Sequence, residues 1–205
     1  MATMKLFYDW MYRYSRAPWD LGPRKELVEA VESGRIQPCK AIDLGCGTAS
    51  NAIFLAQHGF DVTGTDYSPA SIALCQQRGA AAGVTVNWIE DDLTDLKRVH
   101  GSFDFLVDWG VYDDLTQPDR QAYLRNVLLL THAHSRFLIY VHQWSLRWWE
   151  KSLHRLIGGM QPMQPGEVEA DFSPYFTIEK ITERAFSSGF VRGEAVYLMT
   201  RKGET

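Results

Sequence analysis

Cysteine is scarce in this chain, with three in 205 residues, at Cys39, Cys46 and Cys75. Three thiols form no even disulfide set, and their spacing matches no metal-ligand pattern. They read as reduced cysteines of a cytoplasmic protein, and no metal is expected. No apolar run approaches the ~20 residues that span a bilayer. The opening MATMKLFYDW also lacks the apolar core of a signal peptide. Runs of Lys and Arg are missing too, and the net charge is −4. Phosphate backbones require concentrated positive charge, so neither nucleic acid nor membrane is expected as a partner. Without repeats, low-complexity tracts or an interdomain linker, residues 1–205 read as one domain.

Aromatic residues, by contrast, crowd the start. Phe7, Trp10 and Tyr14 recur at helical spacing, Pro18 interrupts, and RKELVEAV resumes a helix that stops near Gly34. From Cys39 onward, strand and helix patterns alternate. CKAIDLG, DVTGTD, TVNWIEDD, FDFLVDWG and RFLIYVHQW read as strands. SNAIFLAQHG, PASIALCQQRGAAAG and Arg120–Leu130 read as the intervening helices, and SLRWWEKSLHRLI as a later one. A loop with a short helix at GEVEADF follows, then two strands within FTIEKI and VRGEAVYLMTRK. The expected fold is an α/β three-layer sandwich with a mostly parallel, Rossmann-like seven-stranded sheet and an antiparallel C-terminal strand pair. Within it, residues 1–35 form aromatic lid helices and 36–145 a cofactor-binding core. Residues 146–175 form a substrate-cap helix and loop, and 176–205 the strand pair.

The segment AIDLGCGTASN concentrates the chemistry. Two glycines one residue apart, between a strand and a helix, make a tight backbone turn beside a nucleoside-sized site. Asp66 follows Asp43 by 23 positions, at the end of the next strand. A nicotinamide fingerprint would require a third glycine where Ser50 stands. An S-adenosylmethionine site requires instead an acid two residues before the first glycine, and Asp43 is there.

On these residues the chain resembles the class I S-adenosylmethionine-dependent methyltransferases. DLGCGTA resembles their glycine-rich signature at Gly45 and Gly47, departing at Ala49, where glycine is commoner. The resemblance implies that Asp66, with Tyr67 beside it, accepts hydrogen bonds from both ribose hydroxyls. It implies that Asp92 faces the adenine amino group and the Leu93 N–H a ring nitrogen. It also implies that the backbone at Asp108 and Trp109 meets the methionine moiety. APWDLGPRKEL is similar to a segment of the thiopurine and thiol–halide methyltransferase branch that lies against the cofactor. Trp10 and Trp19 are then candidates to close over the sulfonium, whose positive charge suits an aromatic face. The product would be S-adenosylhomocysteine.

The acceptor is read from three places. His142, at the end of the fifth strand, is a candidate base for a hydroxyl acceptor. Tyr112 and Asp113, in WGVYDDL after the fourth strand, are further candidates, although Asp113 and Asp114 read first as a solvated loop or helix cap. Trp144, Trp148 and Trp149, with Met160 and Met163, suggest an aromatic wall for a ring-containing acceptor or ordinary packing. A sulfur, selenium or halide acceptor would need no base, and a non-catalytic cofactor-binding module stays open as well. His132 and His134 read as surface residues in a polar loop. The expected partner is a small molecule, and the chain a monomer or homodimer.

Overall fold

The computed structural model describes residues 2–14, 20–145, 163–186 and 192–203. Its centre is one seven-stranded sheet in the order β3-β2-β1-β4-β5-β7-β6. The strands are β1 (Lys40–Leu44), β2 (Asp61–Asp66), β3 (Asn87–Glu90), β4 (Phe103–Trp109), β5 (Thr131–His142), β6 (Phe176–Ala185) and β7 (Gly193–Arg201). β1 to β5 pair in parallel. β7 runs antiparallel to both β5 and β6, so the C-terminal hairpin inserts its last strand between them. The expected fold class therefore holds.

Both faces of the central strands are covered, which is why they read as near-continuous apolar runs. Along β4, Phe105 and Val107 point to one face and Leu106 to the other, and all three are fully buried. The first face packs on α2 (Lys25–Glu32) and α3 (Ser50–Gln57) through Leu27, Ala30, Phe54 and Leu55. The second packs on α5 (Gln117–Leu129) and α6 (Glu167–Phe172) through Tyr123, Val127, Val168 and Phe172. Burying each such large side chain contributes about 1.5–3 kcal/mol.

Two helices complete the frame of the site. α4 (Pro69–Ala81) starts with Pro69 in its first turn, and its cap Ser68 accepts the Ser71 N–H. α1 (Ala2–Tyr14) lies across the start of α4, where Asp9 accepts from Ser68 Oγ at 2.8 Å and from Ala70 N at 3.2 Å. The THAHSR stretch is strand rather than loop. A bulge takes up its polar residues, with His134 at φ 74° and Ser135 Oγ donating to the Phe103 carbonyl. His132 and His134 are exposed. Among the described residues no helix is long and apolar enough to cross a membrane.

Candidate active site

Strand order reverses between β1 and β4, so the loops after them diverge and leave a crevice at the strands' C-terminal ends. The turn after β1 is held open by backbone geometry. Gly45, Gly47 and Ala49 all have positive φ, at 70°, 50° and 70°. Ala49 keeps the left-handed conformation despite its Cβ, at a cost of roughly 1–2 kcal/mol, and its N–H closes the turn onto Cys46 O at 2.8 Å. A Cβ on Gly45 would lie 2.2 Å from Val111 Cγ2, so the backbone there is bare because it must be.

The crevice is a cavity of about 650 Å³, a size typical of small-molecule sites. Gly45, Gly47, Asp66, Tyr67, Asp92, Leu93, Trp109 and His142 all line it. Asp66 is buried, with Oδ2 accepting Gly47 N at 3.0 Å and Oδ1 accepting Ser68 N at 2.9 Å. Burial, against those two N–H groups, pushes its carboxyl up to about 6. Asp92 accepts from both N and Oγ1 of Thr94. Its neighbour Asp91 instead organises the following loop, accepting N–H groups from Lys97, Arg98 and Val99. A bare glycine cradle, two acids at adjacent strand ends and the rings of Tyr8, Tyr12 and Trp109 fit a nucleoside with a cationic arm.

Asp43 and Asp108 lie behind this wall, not on it. Asp43 accepts Ala52 N at 3.2 Å, and burial together with the Asp66 charge pushes it up to about 7. Asp108 accepts Val111 N at 2.8 Å, Tyr112 N at 3.2 Å and the Tyr123 hydroxyl. It thereby fixes the loop after β4. Tyr112 also points into the core, with its hydroxyl donating to Asp171 at 2.7 Å.

At the other end of the cavity, Asp113 and His142 form a pair. Asp113 is buried rather than solvated, and its Oδ2 accepts His142 Nδ1 at 2.8 Å and His142 N at 3.0 Å. His142 keeps 40% of its side-chain surface exposed while Asp113 keeps 5%. An ionised carboxylate only accepts, so the proton sits on Nδ1 and leaves Nε2 free to accept. Burial lowers the imidazole pKa, but the Asp113 hydrogen bond and charge, helped by Asp114 and Glu194, raise it overall.

Several wall residues carried no motif. Tyr8 and Tyr12 bring α1 over the cavity, and Tyr8 donates to Asp114. Trp10 faces outward, 53% exposed, and Trp19 lies outside the described residues, as do Trp148, Trp149 and Met160. Asp20 ties the N-terminal segment down through a bidentate pair with Arg78, at 2.9 and 2.6 Å. Glu194 accepts from Tyr140 Oη at 2.8 Å, and Tyr140 stacks on Trp109 with ring centroids 4.8 Å apart. Only the antiparallel register, which sets Glu194 opposite His142, brings it here.

Comparison with known proteins gives this geometry an owner. A methyltransferase domain family matches residues 41–132. The chain is 24% identical over 178 residues to the 2-heptyl-1-hydroxyquinolin-4(1H)-one methyltransferase of Mycobacteroides abscessus, covering 85% of this chain and 75% of that protein. Further relatives named as methyltransferases match about half of this chain, which spans 35–41% of their length. Among solved structures, one concerning the conversion of a disulfide bond into a thioacetal group during echinomycin biosynthesis superposes with a TM-score of 0.78. It is 24% identical and covers 98% of this chain and 94% of that one. The Burkholderia thailandensis 1,6-didemethyltoxoflavin-N1-methyltransferase, solved with its acceptor and S-adenosylhomocysteine, superposes at 0.73 with 15% identity, covering 99% and 88%. The matched domain and the fold around this cavity agree, and together they support a class I S-adenosylmethionine-dependent methyltransferase.

Proposed function

We propose that this enzyme methylates a hydroxyl group on a small, ring-containing acceptor, with His142 as the base. The observation that carries the reading is His142 on the cavity wall, backed by Asp113. When bound, S-adenosylmethionine supplies a methyl group on a cationic sulfur that is already a good leaving group. The chain's own task is to hold two reactants in line, exclude water and accept one proton.

In this reading Asp66 holds the ribose hydroxyls, with Tyr67 beside them. Asp92 and the Leu93 N–H hold the adenine edge. The bare backbone at Gly45 and Gly47 admits the methionine arm beside Trp109, while Asp43 and Asp108 keep the two loops in shape. Tyr8 and Tyr12 cover the sulfonium end, taking the part the sequence suggested for Trp10. Residues 1–35 act as the lid and 146–175 as the acceptor cap. Asp113 orients His142 and stabilises its protonated form after the hydroxyl proton moves to Nε2. Tyr112 supports the loop from the core.

A soft acceptor such as a thiolate or halide would need none of this. The cavity also carries Asp114 near His142, which opposes the approach of an anion. The name of the Mycobacteroides relative, a hydroxyquinolone methyltransferase, supports an oxygen acceptor on a ring. The test is turnover of the His142→Ala variant with phenolic and thiol acceptors, alongside S-adenosylhomocysteine binding by calorimetry. A loss of about 10²–10⁴ in kcat on phenols with intact binding is expected. Unchanged turnover would remove His142 from the chemistry.

A further inference from the structure

The cavity wall is acidic, yet the methionine arm of the cofactor ends in a carboxylate. Glu26, Asp66, Asp92, Asp114 and Glu194 all line it, so an anion is stable there only beside a cation. Among the described residues, the basic side chains on the wall besides His142 are Arg24, Lys25 and Arg184. Arg184 is held between Glu26 at 2.8 Å and Glu194 at 2.6 Å. Lys25 is 72% exposed and pairs with Glu29 at 3.4 Å. That leaves Arg24 as the cation for the arm.

The backbone of Arg24 is fixed against the glycine turn. Its N–H donates to Asn51 Oδ1 at 3.1 Å, and its carbonyl accepts Val28 N at 2.9 Å as α2 begins. Asn51 is buried in the first turn of α3, directly after the glycine turn, and lines the same cavity. The Arg24 guanidinium lies 5.7 Å from the centroid of the Trp109 ring, and Trp109 stacks on Tyr140 at 4.8 Å. Stacking of this kind orients the planar guanidinium before any ligand arrives.

Arg24 is half-buried, and its burial lowers the guanidinium pKa against the opposing pull of Tyr140, Asp20, Asp43 and Glu194. Those three acids are engaged elsewhere. Asp20 pairs with Arg78, Asp43 accepts Ala52 N, and Glu194 pairs with Arg184. A guanidinium carries five N–H donors, so it can take a carboxylate alongside other partners. Charge-assisted bonds from a carboxylate would offset the hydration that burial removes.

We propose that Arg24 holds the carboxylate of the methionine arm and so selects the intact amino-acid cofactor over nucleosides that lack it. The inference rests on the cofactor placement given above, with the arm beside Trp109, and not on the nature of the acceptor. The probes are S-adenosylhomocysteine and its decarboxylated analogue, the aminopropyl thioether of adenosine, which keeps the nucleoside, the sulfur and the ammonium. Calorimetry on the full chain gives both affinities for the parent, Arg24→Ala, Arg24→Lys and Asp66→Ala. The parent is expected to bind S-adenosylhomocysteine about thirtyfold tighter than the analogue. Arg24→Ala should remove that preference by weakening S-adenosylhomocysteine alone. Arg24→Lys keeps the charge without the fork and should retain part of the preference. Melting curves check folding, and the lysine variant carries the test if the alanine variant unfolds. Equal affinities of the parent for the two ligands would overturn the assignment. So would equal losses for both in Arg24→Ala, which would make Arg24 a brace for the N-terminal segment only. Asp66→Ala should weaken both ligands equally. Unchanged binding in Asp66→Ala beside a selective loss in Arg24→Ala would count against the ribose placement and leave Arg24 standing.

Discussion

Asp113 Oδ2 holds His142 twice, by its backbone N–H at 3.0 Å and by its Nδ1–H at 2.8 Å. One carboxylate oxygen thus fixes both the end of β5 and the tautomer of the ring at its tip. The pair raises the imidazole pKa above 6.5 despite burial. A raised histidine contributes stability that is complete below its unfolded pKa and is lost as pH rises through the folded value. The proton-accepting form appears only above that folded value. The kcat for a phenolic acceptor is therefore expected to climb with pH, with its midpoint above 6.5. In Asp113→Asn the midpoint should fall and the plateau drop at least tenfold. A pH–rate profile for the two proteins checks this, and coincident midpoints would refute the coupling.

Three buried carboxylates near the cavity bear on stability in the same sense. Burial pushes Asp66 to about 6 and Asp43 and Asp108 to about 7. Each binds its proton more tightly folded than unfolded, where its pKa is about 3.9. The stability linked to them is complete below about pH 4 and is lost as pH rises through 6 to 7. The ligand-free protein is expected to melt at higher temperature at pH 5.5 than at pH 7.5. Ionised Asp66 accepts hydroxyl donors better, so S-adenosylhomocysteine should bind more tightly as pH rises through about 6. Thermal shift with and without ligand at both pH values tests the pair of trends. A free protein that gains stability toward pH 7.5 would show these acids ionised throughout.

The glycine turn gives a stability prediction with an internal control. Gly45→Ala places a methyl 2.2 Å from Val111 Cγ2 at a φ of 70°. Overpacking costs about 1–3 kcal/mol and the left-handed backbone about 1–2 more. Adding Val111→Ala should return the overpacking share and leave the backbone share. Urea unfolding of the two single variants and the double variant measures the coupling. Additive effects would mean that Val111 does not set the space at Gly45.

How far the sequence could be read depended on which physical signal carried each residue. Strand ends were legible because parallel strands buried on both faces read as apolar runs, and each motif follows one. Gly45, Gly47, Asp66, Asp92 and His142 came from that logic and line one cavity. Orientation within short loops was not legible. In WGVYDDL, the tight turn at Tyr112–Asp114 sends Tyr112 into the core and Asp114 to the cavity, with Asp113 behind His142. The lid failed differently. Apolar periodicity selected Phe7, Trp10 and Tyr14, which face outward, because the cavity face carries the polar-tipped rings of Tyr8 and Tyr12. Glu194 had no local signal at all. Strand register from a segment fifty residues away delivers it.

Tyr8 and Asp9 both attach the lid helix, and the Tyr8 bond can be removed by a single substitution. Asp9 fastens α1 to the start of α4, while the Tyr8 hydroxyl donates to Asp114 across the cavity mouth. Burial and the Asp113 charge push Asp114 up to about 6, and the Tyr8 bond works against that shift. Tyr8→Phe leaves the ring in place and deletes the donor. A charge-assisted bond lost from a largely buried carboxylate costs about 1–3 kcal/mol, and Asp114 should then titrate at higher pH. Because the bond closes the lid and touches no reacting atom in our reading, the effect belongs on cofactor retention. S-adenosylhomocysteine affinity is expected to fall about tenfold through a faster off-rate, with kcat within threefold of the parent. Stopped-flow displacement measures the off-rate. Asp114→Asn should reproduce the loss, and the double variant should add little to either single change. An unchanged off-rate in Tyr8→Phe would mean that the Tyr8–Asp114 bond does not hold the lid.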